Sequence, residues 1–287
     1  MDFLQAQSTL LSQLRTIYDD REAAIIVDWV MEKITGMKKI DRLLHKKTTL
    51  SLAAGITLQQ YTDELMNGRP VQYVLQESWF AGMPFYVDEH VLIPRPETEE
   101  LVEWIASDTP QPAASSQPFH ILDVGTGSGC IAITLKKRIP HALVYGCDVS
   151  RDALAIASRN AAALQATVKL IEADFLDPRA WAALPSVQVL VSNPPYIPLR
   201  DKPSMAPHVV DFEPHLALFV TDQDPLIFYQ ALADFAQQKL LPGGAIFAET
   251  HEELAKATAD LFRKAGFQSV VLIQDLQGKD RFIKATW

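Results

Sequence analysis

The chain begins with apolar residues at helical spacing. In the segment AAIIVDWVMEKI this spacing predicts one buried helix face, formed by Ile26, Trp29, Val30 and Ile34. The TGM sequence at residues 35–37 predicts that the helix ends at a glycine. A later helix is predicted to begin at Thr57, a suitable N-cap, and to stop at Gly68. Residues 1–70 are therefore predicted to form a small helical bundle.

Residues 78–93 have a different pattern, rich in aromatic and β-branched side chains. Turn-forming residues interrupt them at 82–84 and again at 88–89, which predicts a β-hairpin. Two prolines then close the strand, and a helix is predicted to begin near Thr98. Residues 108–118 are polar and rich in proline, which is typical of a surface loop.

From residue 119 onward, short apolar runs alternate with helical patterns. The predicted strands are FHILDV, ALVYGCD, TVKLIEA, VQVLVS and GAIFAE, followed by SVVLIQD and RFIKAT as an antiparallel pair. The predicted helices lie near residues 128–138, 150–164, 224–240 and 251–265. This alternation predicts an α/β fold with a Rossmann-like sheet, mostly parallel, with the last strand antiparallel. Right-handed crossovers would bring the loops after the parallel strands to one edge, where ligands bind in such sheets.

Charge is distributed unevenly along the 287 residues, which leave room for more than one domain. Residues 1–70 are neutral, and the rest of the chain carries the net charge of −9. An acidic catalytic part argues against a broad nucleic-acid surface, because phosphates are bound mainly by cations. The one basic cluster consists of Lys38, Lys39, Arg42, Lys46 and Lys47. It is interpreted either as a solvated helix face or as part of a docking surface for a protein partner.

Other compositional features predict a cytoplasmic protein. No apolar stretch reaches the length of a membrane span, and the N-terminus lacks the basic start of a signal peptide. The two cysteines, Cys130 and Cys147, are interpreted as reduced thiols. The seven histidines show no metal-ligand spacing, so no metal site is predicted.

A glycine-rich loop follows the first strand of the predicted sheet. The loop lies in the sequence DVGTGSGC, after Asp123, and its predicted ligand-binding residues are Gly125, Thr126, Gly127, Ser128 and Gly129. Asp148 ends the next strand, where a carboxylate can accept hydrogen bonds from ribose hydroxyls. A dinucleotide fingerprint would place its last glycine or alanine at Cys130. The G-x-G-x-G form is instead typical of S-adenosylmethionine-dependent methyltransferases.

Asp174 and Phe175 follow the third strand, where the adenine of such a cofactor would lie. The carboxylate can accept from the exocyclic amine, and the ring can stack on the base. A helix cap and a core phenylalanine are the alternative interpretation of this pair.

The fourth strand ends in Asn193, Pro194, Pro195 and Tyr196, a sequence that cannot continue a sheet because proline offers no N–H donor. This set suggests methyl transfer to a planar nitrogen with a delocalised lone pair. Asn193 Oδ1 and the Pro194 carbonyl can accept the two N–H groups of such a nitrogen, and Tyr196 can stack on it. Asn193, Pro194 and Tyr196 are therefore the predicted catalytic residues, and Asn193 is also predicted to touch the cofactor. A simple turn is the alternative.

Five segments resemble the HemK/PrmC family of peptide chain release factor N5-glutamine methyltransferases: GRPVQYVL, VLIPRPETEELV, ILDVGTGSGCIAI, VSNPPYI and DFEPHLAL. The resemblance implies a class I methyltransferase fold that uses S-adenosylmethionine and releases S-adenosylhomocysteine. It implies that the methyl group goes to the glutamine of a Gly-Gly-Gln loop in bacterial-type release factors, held by residues 193–196. It also implies contacts to the cofactor from Gly125, Gly127, Gly129, Asp148, Phe175 and Asn193.

From this resemblance, the expected domains are a partner-binding helical bundle at 1–74, a hairpin linker at 75–95 and a catalytic domain at 96–287. A monomer is expected, without a direct nucleic-acid partner. Arg95 and Glu213 are candidate substrate-binding residues, with purely structural roles equally open. Gln76 departs from the glycine that the family usually carries.

Three alternatives stay open at this stage. A sister family methylates a glutamine of a large-subunit ribosomal protein, but tends to carry Pro-Arg-Ser-Pro where this chain has residues 94–97 as Pro-Arg-Pro-Glu. Adenine N6-methylation of nucleic acid uses the same Asn-Pro-Pro-Tyr chemistry, but would need a basic groove. A methyltransferase-like fold that only binds a partner is the third.

Overall fold

A computed structural model describes residues 1–109 and 118–287. The predicted loop at 108–118 therefore lies almost entirely outside the described residues. The chain divides into two compact units, residues 1–77 with 206–212, and residues 78–205 with 213–287. The predicted domain boundaries at 74 and 95 remain predictions. Residues 206–212, which fall inside the predicted catalytic domain at 96–287, group with the first unit.

The first unit is built from helices: α1 (Phe3–Leu14), α2 (Asp20–Thr35), α3 (Lys39–Leu44), α4 (Leu52–Met66) and α5 (Val71–Leu75). Asp2 and Gln5 form a capping box at the start of α1, and Asp19 caps α2. Gly36 ends α2 in the left-handed conformation, as the sequence predicted. No helix in the described ranges is both long and apolar enough to cross a membrane.

Two predicted details of this unit are wrong. Trp29 is 46% exposed, and the buried face of α2 is formed by Ala23, Ile26, Val27, Val30 and Met31. The buried stripe shares Ile26 and Val30 with the predicted one but continues through Ala23, Val27 and Met31 instead of Trp29. Helix α4 begins before Thr57, because the Ser51 hydroxyl accepts a hydrogen bond from Ala54 N–H and caps the helix there.

The basic cluster also needs correction at Arg42. This side chain is only 2% exposed, donates to the Met37 carbonyl at 2.6 Å and forms an ion pair with Asp28. Arg42 therefore ties α3 to α2 from within the bundle and cannot belong to an exposed surface. Lys39, Lys46 and Lys47 remain exposed, and Lys38, also exposed, pairs with Glu32.

Gln76 follows α5 with φ of 52° and ψ of 39°, in the left-handed region. Glycine adopts this conformation without strain, which explains the residue usual in the family. Glutamine tolerates it here at a cost of about 1 kcal/mol.

The second unit begins with the predicted hairpin, in strands β1 (Ser78–Phe80) and β2 (Met83–Phe85), followed by helix α6 (Pro96–Asp108). The strand expected to be closed by the prolines at 94 and 96 is not formed, because the chain turns at residues 88–91, where Val91 N–H donates to the Asp88 carbonyl. The remaining strands are β3 (His120–Val124), β4 (Leu143–Asp148), β5 (Val168–Glu172), β6 (Val187–Ser192), β7 (Ile197–Pro198), β8 (Phe219–Val220), β9 (Leu240–Glu249), β10 (Ser269–Gln274) and β11 (Asp280–Thr286). The remaining helices are α7 (Cys130–Arg138), α8 (Arg151–Ala163), α9 (Pro207–Phe212, in the first unit), α10 (His215–Leu218), α11 (Ile227–Lys239) and α12 (Ala255–Lys264). Two 3₁₀ turns lie at Pro178–Ala183 and Leu199–Ser204.

Seven strands form the central sheet in the order β10-β11-β9-β6-β3-β4-β5. Strands β9, β6, β3, β4 and β5 are parallel, and β11 pairs antiparallel with both β9 and β10. The predicted fold class is thus confirmed. Alternating residues such as Leu122 and Ile121 face opposite apolar layers, one with α11 and α12 and the other with α6 and α7.

The carboxyl ends of the central strands lie level with one another. Val124 at the end of β3 is paired with Cys147 on one side and Ser192 on the other, and Ser192 is paired with Ala248. The Ser192 hydroxyl donates to the Val124 carbonyl at 2.8 Å, which joins the ends of β6 and β3. This register brings the glycine loop, Asn193 and Glu249 to one edge of the sheet.

Candidate active site

The glycine loop leaves β3 in a tight turn and enters α7. Gly125, Gly127 and Gly129 have φ values of 71°, 53° and 81°. The backbone N–H groups of Gly125 and Thr126 donate to the Cys147 carbonyl at 2.9 and 3.0 Å, which holds the loop against β4. A Cβ at Gly125 would meet no other atom within 4 Å, whereas one at Gly129 would lie 2.9 Å from Ile133. The first glycine therefore faces open space, and the last allows α7 to pack closely.

Asp148 holds the loop from the neighbouring strand. Its Oδ2 accepts from Gly127 N–H at 2.9 Å, and its Oδ1 accepts from Ser150 N–H at 2.9 Å. Burial raises the pKa of this carboxyl, although three backbone N–H groups oppose the shift. Because a carboxylate has about four acceptor positions, Asp148 retains lone pairs for ribose hydroxyls.

Asp123 is fully buried beneath the same loop. Its Oδ2 accepts from the Thr126 hydroxyl at 2.6 Å and from Ala132 N–H at 3.3 Å, while Oδ1 has no hydrogen-bond partner. Burial raises the pKa of Asp123 to about 7. The Thr126 side chain thus points inward, which leaves the backbone of Thr126 as the part that can serve the predicted ligand contact.

Asn160 on α8 is a residue that sequence reasoning missed. Its Oδ1 accepts from Tyr86 N–H at 2.7 Å, and its Nδ2 donates to the carbonyls of Tyr86 at 3.0 Å and Ser128 at 2.9 Å. Asn160 therefore joins the segment after the hairpin to the glycine loop. The Ser128 residue is buried, and its carbonyl accepts the hydrogen bond from Asn160 Nδ2. An asparagine in an otherwise alanine-rich helix was the available signal.

Asp174 and Phe175 differ in their surroundings. Asp174 is exposed and its Oδ1 accepts from Leu176 N–H at 3.0 Å. Phe175 is 5% exposed, and its ring centroid lies 5.2 Å from that of Phe235 and 5.8 Å from that of Trp181. The structure presents Phe175 as a core ring, and its contact with an adenine stays a prediction.

Asn193 and Tyr196 are joined through two further side chains. Asn193 Nδ2 donates to Thr98 Oγ1 at 3.1 Å, and Thr98 Oγ1 donates to Glu249 Oε2 at 2.6 Å. The Tyr196 hydroxyl donates to the other oxygen, Glu249 Oε1, at 3.1 Å. No described residue donates to Asn193 Oδ1. Of the two prolines that follow Asn193, Pro194 is buried and Pro195 is partly exposed.

Burial of this network raises the pKa values of both acids in it. Glu249 is 2% exposed, and burial raises its pKa against the hydrogen bonds from Thr98 and Tyr196. Burial, and then the charge of Glu249, raise the pKa of Tyr196 well above 10. Tyr196 is therefore a neutral phenol, fixed by its hydroxyl rather than free to act as a base.

Neither Thr98 nor Glu249 was predicted as a site residue. In the sequence, Thr98 predicts only the start of a helix. Glu249 carried a usable signal, since a carboxylate directly after an apolar parallel strand resembles the placement of Asp148.

Arg95 and Glu213 pair with each other, 118 residues apart in sequence. Arg95 Nη2 donates to both carboxylate oxygens of Glu213 at 2.7 Å, and Glu213 is 3% exposed. The sequence left a substrate-binding role and a structural role open for Arg95 and Glu213, and this contact favours the structural one. Arg95 keeps its other N–H donors, so its contact with a substrate stays a prediction.

In the described ranges, no group of three or more His, Cys, Asp or Glu side chains is arranged to hold a metal ion. Both cysteines are free thiols. The arrangement at the carboxyl ends of the strands consists of a glycine loop, the three acids Asp123, Asp148 and Glu249, and an amide followed by two prolines and a tyrosine.

Comparison with known proteins agrees with this arrangement. A model of the PrmC N-terminal domain matches residues 5–75, and a model of the methyltransferase small domain matches residues 109–210. The release factor glutamine methyltransferase of Flavobacterium psychrophilum is 37% identical over 281 residues, 98% of each chain. That of Bacteroides thetaiotaomicron is 36% identical over 272 residues, 95% of each chain.

Among solved structures, the hMettl16 catalytic domain in complex with MAT2A 3'UTR hairpin 6 has a TM-score of 0.53, covers 85% of each chain and is 14% identical. This likeness concerns the fold alone. The identity over almost the whole length of the bacterial relatives shows the family directly. The chain belongs to the release factor glutamine methyltransferase family.

Proposed function

We propose that this protein transfers the methyl group of S-adenosylmethionine to the side-chain nitrogen of the glutamine in the Gly-Gly-Gln loop of bacterial peptide chain release factors. The observation that carries the proposal is the position of Asn193 at the end of its strand, beside the glycine loop. Its side-chain amide is held there by a hydrogen bond to Thr98. The relatives named above have this activity in their names. Such a substrate would place the enzyme in the cytoplasm, and we propose that it acts there as a monomer.

The residues around the glycine loop fit S-adenosylmethionine better than a dinucleotide. Open space lies beyond Gly125, and the carboxylates of Asp123 and Asp148 lie beneath and beside the loop. Asp123 Oδ1 is buried without a partner, and the carboxyl of Asp148 beside the loop favours a cationic ligand over a pyrophosphate. The loop backbone of residues 125–129, Asp148 and Asp174 would hold the cofactor, with Phe175 and Asn193 as further predicted contacts. When bound, the cofactor supplies a methyl group on a sulfonium, whose C–S bond breaks with its electron pair left on sulfur.

The chain's own residues orient the glutamine amide for attack. Asn193 Oδ1 and the Pro194 carbonyl accept its two N–H groups, and Tyr196 packs on the flat amide, with Pro195 beside it. Orientation of this kind can supply roughly 7–11 kcal/mol of the barrier. Acceptors aimed at a nitrogen that becomes positively charged add electrostatic stabilisation. The extra proton can leave to water after the nitrogen–carbon bond forms, so no strong base is required.

We also propose that residues 1–74 recognise the release factor, with residues 75–95 as the linker to a catalytic domain at 96–287. Exposed Lys38, Lys39, Lys46 and Lys47 are the part of the basic cluster that remains available for docking. Arg42 is excluded, because its guanidinium is used inside the bundle.

The test uses labelled S-adenosylmethionine and purified protein. The substrates are a bacterial release factor, the same factor with the Gly-Gly-Gln glutamine changed to alanine, a large-subunit ribosomal protein and DNA. Label only on the unmodified release factor, lost with Asn193→Ala, supports the proposal. Label on the ribosomal protein or on DNA, without label on the release factor, would overturn it.

A further inference from the structure

Glu249 is a buried carboxylate without an ion-pair partner among the described residues. Arg281 acts on it through charge, but the Arg281 side chain binds Asp275 at 3.1 Å and the Thr250 carbonyl at 3.3 Å. Burying an acid in this way is costly unless its oxygens accept hydrogen bonds. Both Glu249 oxygens do so, and both donors are hydroxyls that lead to the Asn-Pro-Pro-Tyr segment.

The three members of the chain Glu249–Thr98–Asn193 come from separate elements. Glu249 ends β9, Thr98 lies in the first turn of α6, and Asn193 directly follows β6. The sheet register places Ser192 beside Ala248, so the residues that follow them, Asn193 and Glu249, emerge side by side. The Thr98 hydroxyl lies between the two side chains, 3.1 Å from one and 2.6 Å from the other.

The direction of donation along this chain is fixed by Glu249. Glu249 Oε2 accepts from Thr98 at 2.6 Å and Glu249 Oε1 accepts from Tyr196, so the Thr98 hydroxyl hydrogen points to Glu249 Oε2. With its hydrogen directed at Glu249, the Thr98 hydroxyl can only accept a hydrogen bond from Asn193. Asn193 must therefore present Nδ2 to Thr98, which leaves Oδ1 available to accept a hydrogen bond from a substrate amide.

Without an acceptor at residue 249, the direction can reverse. The Thr98 hydroxyl would be free to donate to Asn193 Oδ1, and the amide would turn by 180°. Nδ2 would then face the incoming glutamine nitrogen, placing two donors against each other. The shape of the site would be unchanged, but its ability to accept from the substrate amide would be lost.

We propose that Glu249, acting through Thr98, is a positioning residue that sets the orientation of the Asn193 amide for methyl transfer. This inference rests on the proposed function and adds two residues to it. The second hydrogen bond, from Tyr196, holds the Glu249 carboxylate in the rotamer that reaches Thr98. The role depends on an acceptor oxygen at residue 249 and a hydroxyl at residue 98, not on the negative charge as such.

Four substitutions separate this role from a merely structural one. Thr98→Val removes the hydroxyl at similar volume, and Glu249→Met removes the acceptor at similar length. Thr98→Ser keeps the hydroxyl. Glu249→Gln keeps an oxygen that can accept from Thr98 while its amide nitrogen donates to Tyr196. The matched control is Thr258→Val on α12, a buried threonine whose hydroxyl has no partner.

Single-turnover methylation of a release factor is the first readout. We expect Thr98→Val and Glu249→Met to slow the step by roughly 10²-fold, as removal of one preorganised polar contact does in other active sites. Thr98→Ser, Glu249→Gln and Thr258→Val should stay within about 10-fold of the wild type, in the range of a single weakened hydrogen bond. The affinity for S-adenosylhomocysteine should follow the control in all of them. Thr98→Val and Glu249→Met each leave a buried group without a hydrogen bond, so the midpoint of their urea unfolding should fall below that of the control, and circular dichroism must show that each is folded before its turnover is compared.

The second readout does not need turnover. The Asn193 side-chain amide, assigned by its absence from the NMR spectrum of Asn193→Asp, should show slowed hydrogen exchange in the wild type and in Thr98→Ser. Thr98→Val should remove the Thr98 acceptor and speed that exchange. Equal turnover in Thr98→Val and wild type, or equal exchange in both, would overturn the inference. If the wild type methylates no release factor, the proposed function fails, and the exchange experiment still decides how the amide is held.

Discussion

Arg95 donates to both carboxylate oxygens of Glu213 through one guanidinium nitrogen, at 2.7 Å each. Arg95 lies just before α6, and Glu213 just before α10. The contact therefore joins the segment that carries Thr98 to the loop that follows the Asn-Pro-Pro-Tyr segment. The pair is a fixed support beside the site, built from two residues whose roles the sequence left undecided.

Arg95→Ala should lower the free energy of unfolding by about 2–3 kcal/mol. The change leaves a buried carboxylate without its cation, and the figure lies below that of a fully buried pair because Arg95 is one-third exposed. Arg151→Ala is the matched control, since Arg151 and Glu172 form a similar contact that is largely exposed. Urea unfolding should show almost no change for the control, because water and salt screen an exposed ion pair. Equal losses in the two variants would contradict a structural role for Arg95.

Asn160→Ala should destabilise the fold and weaken cofactor binding together. It removes three hydrogen bonds to the backbones of Tyr86 and Ser128, which predicts a loss of about 2–4 kcal/mol. The affinity for S-adenosylhomocysteine should fall as well, because the glycine loop loses an anchor. Calorimetry and urea unfolding measure the two effects. Ser158→Ala, exposed on the same helix, should alter neither.

Gly125→Ala should weaken ligand binding with little loss of stability, whereas Gly129→Ala should mainly lower stability. An alanine at 129 would bring its Cβ to 2.9 Å from Ile133 and 3.2 Å from Ala157, so stability should fall by about 2–4 kcal/mol. An alanine at 125 meets open space, and only its positive φ costs about 1 kcal/mol. Its methyl would enter the space proposed for the ligand, so affinity for S-adenosylhomocysteine should fall at least about 10-fold. An undiminished affinity in Gly125→Ala would place the cofactor elsewhere.

The buried carboxyl of Asp123 should make the ligand-free protein less stable as the pH rises. Its pKa is about 7 in the folded state, against 3.8 as the ordinary value, so between these the folded state holds a proton that the unfolded state has released. Stability from this group is present at low pH and is lost as the pH rises toward 7, by at most about 1.4 kcal/mol per pH unit. Urea unfolding of wild type and Asp123→Asn from pH 5 to 8.5 measures it. The difference, wild type minus variant, should shrink with pH and level off above about 7.5; a constant difference would contradict the prediction.

Local sequence patterns were sufficient to predict the sheet and the two motifs at the carboxyl ends of its central strands. Strand-helix alternation, the G-x-G-x-G loop and Asn193-Pro194 each depend on a few consecutive residues, and parallel topology then brings their ends together. The helical N-terminal region and the hairpin could likewise be predicted, because periodicity and turn residues are local properties. The structure confirms these elements, except for the strand expected just before Pro94.

What sequence reasoning missed has a common physical cause. The sequence places Trp29 and Arg42 on the wrong faces because periodicity leaves more than one possible buried stripe on a helix, and tertiary contacts such as the ion pair between Arg42 of α3 and Asp28 of α2 decide between them. A threonine in a helix's first turn, such as Thr98, ordinarily caps that helix. A glutamate after a strand, such as Glu249, ordinarily faces solvent.

The sequence by itself determined the fold class, the glycine loop and the Asn-Pro-Pro-Tyr segment, since each is written in adjacent residues. The tertiary structure decided how these parts are supported. Thr98 and Glu249 are 151 residues apart, and Asn193 lies 95 residues from Thr98. Such partners are chosen by sheet register and by the packing of α6 on the sheet, which no short stretch of sequence encodes.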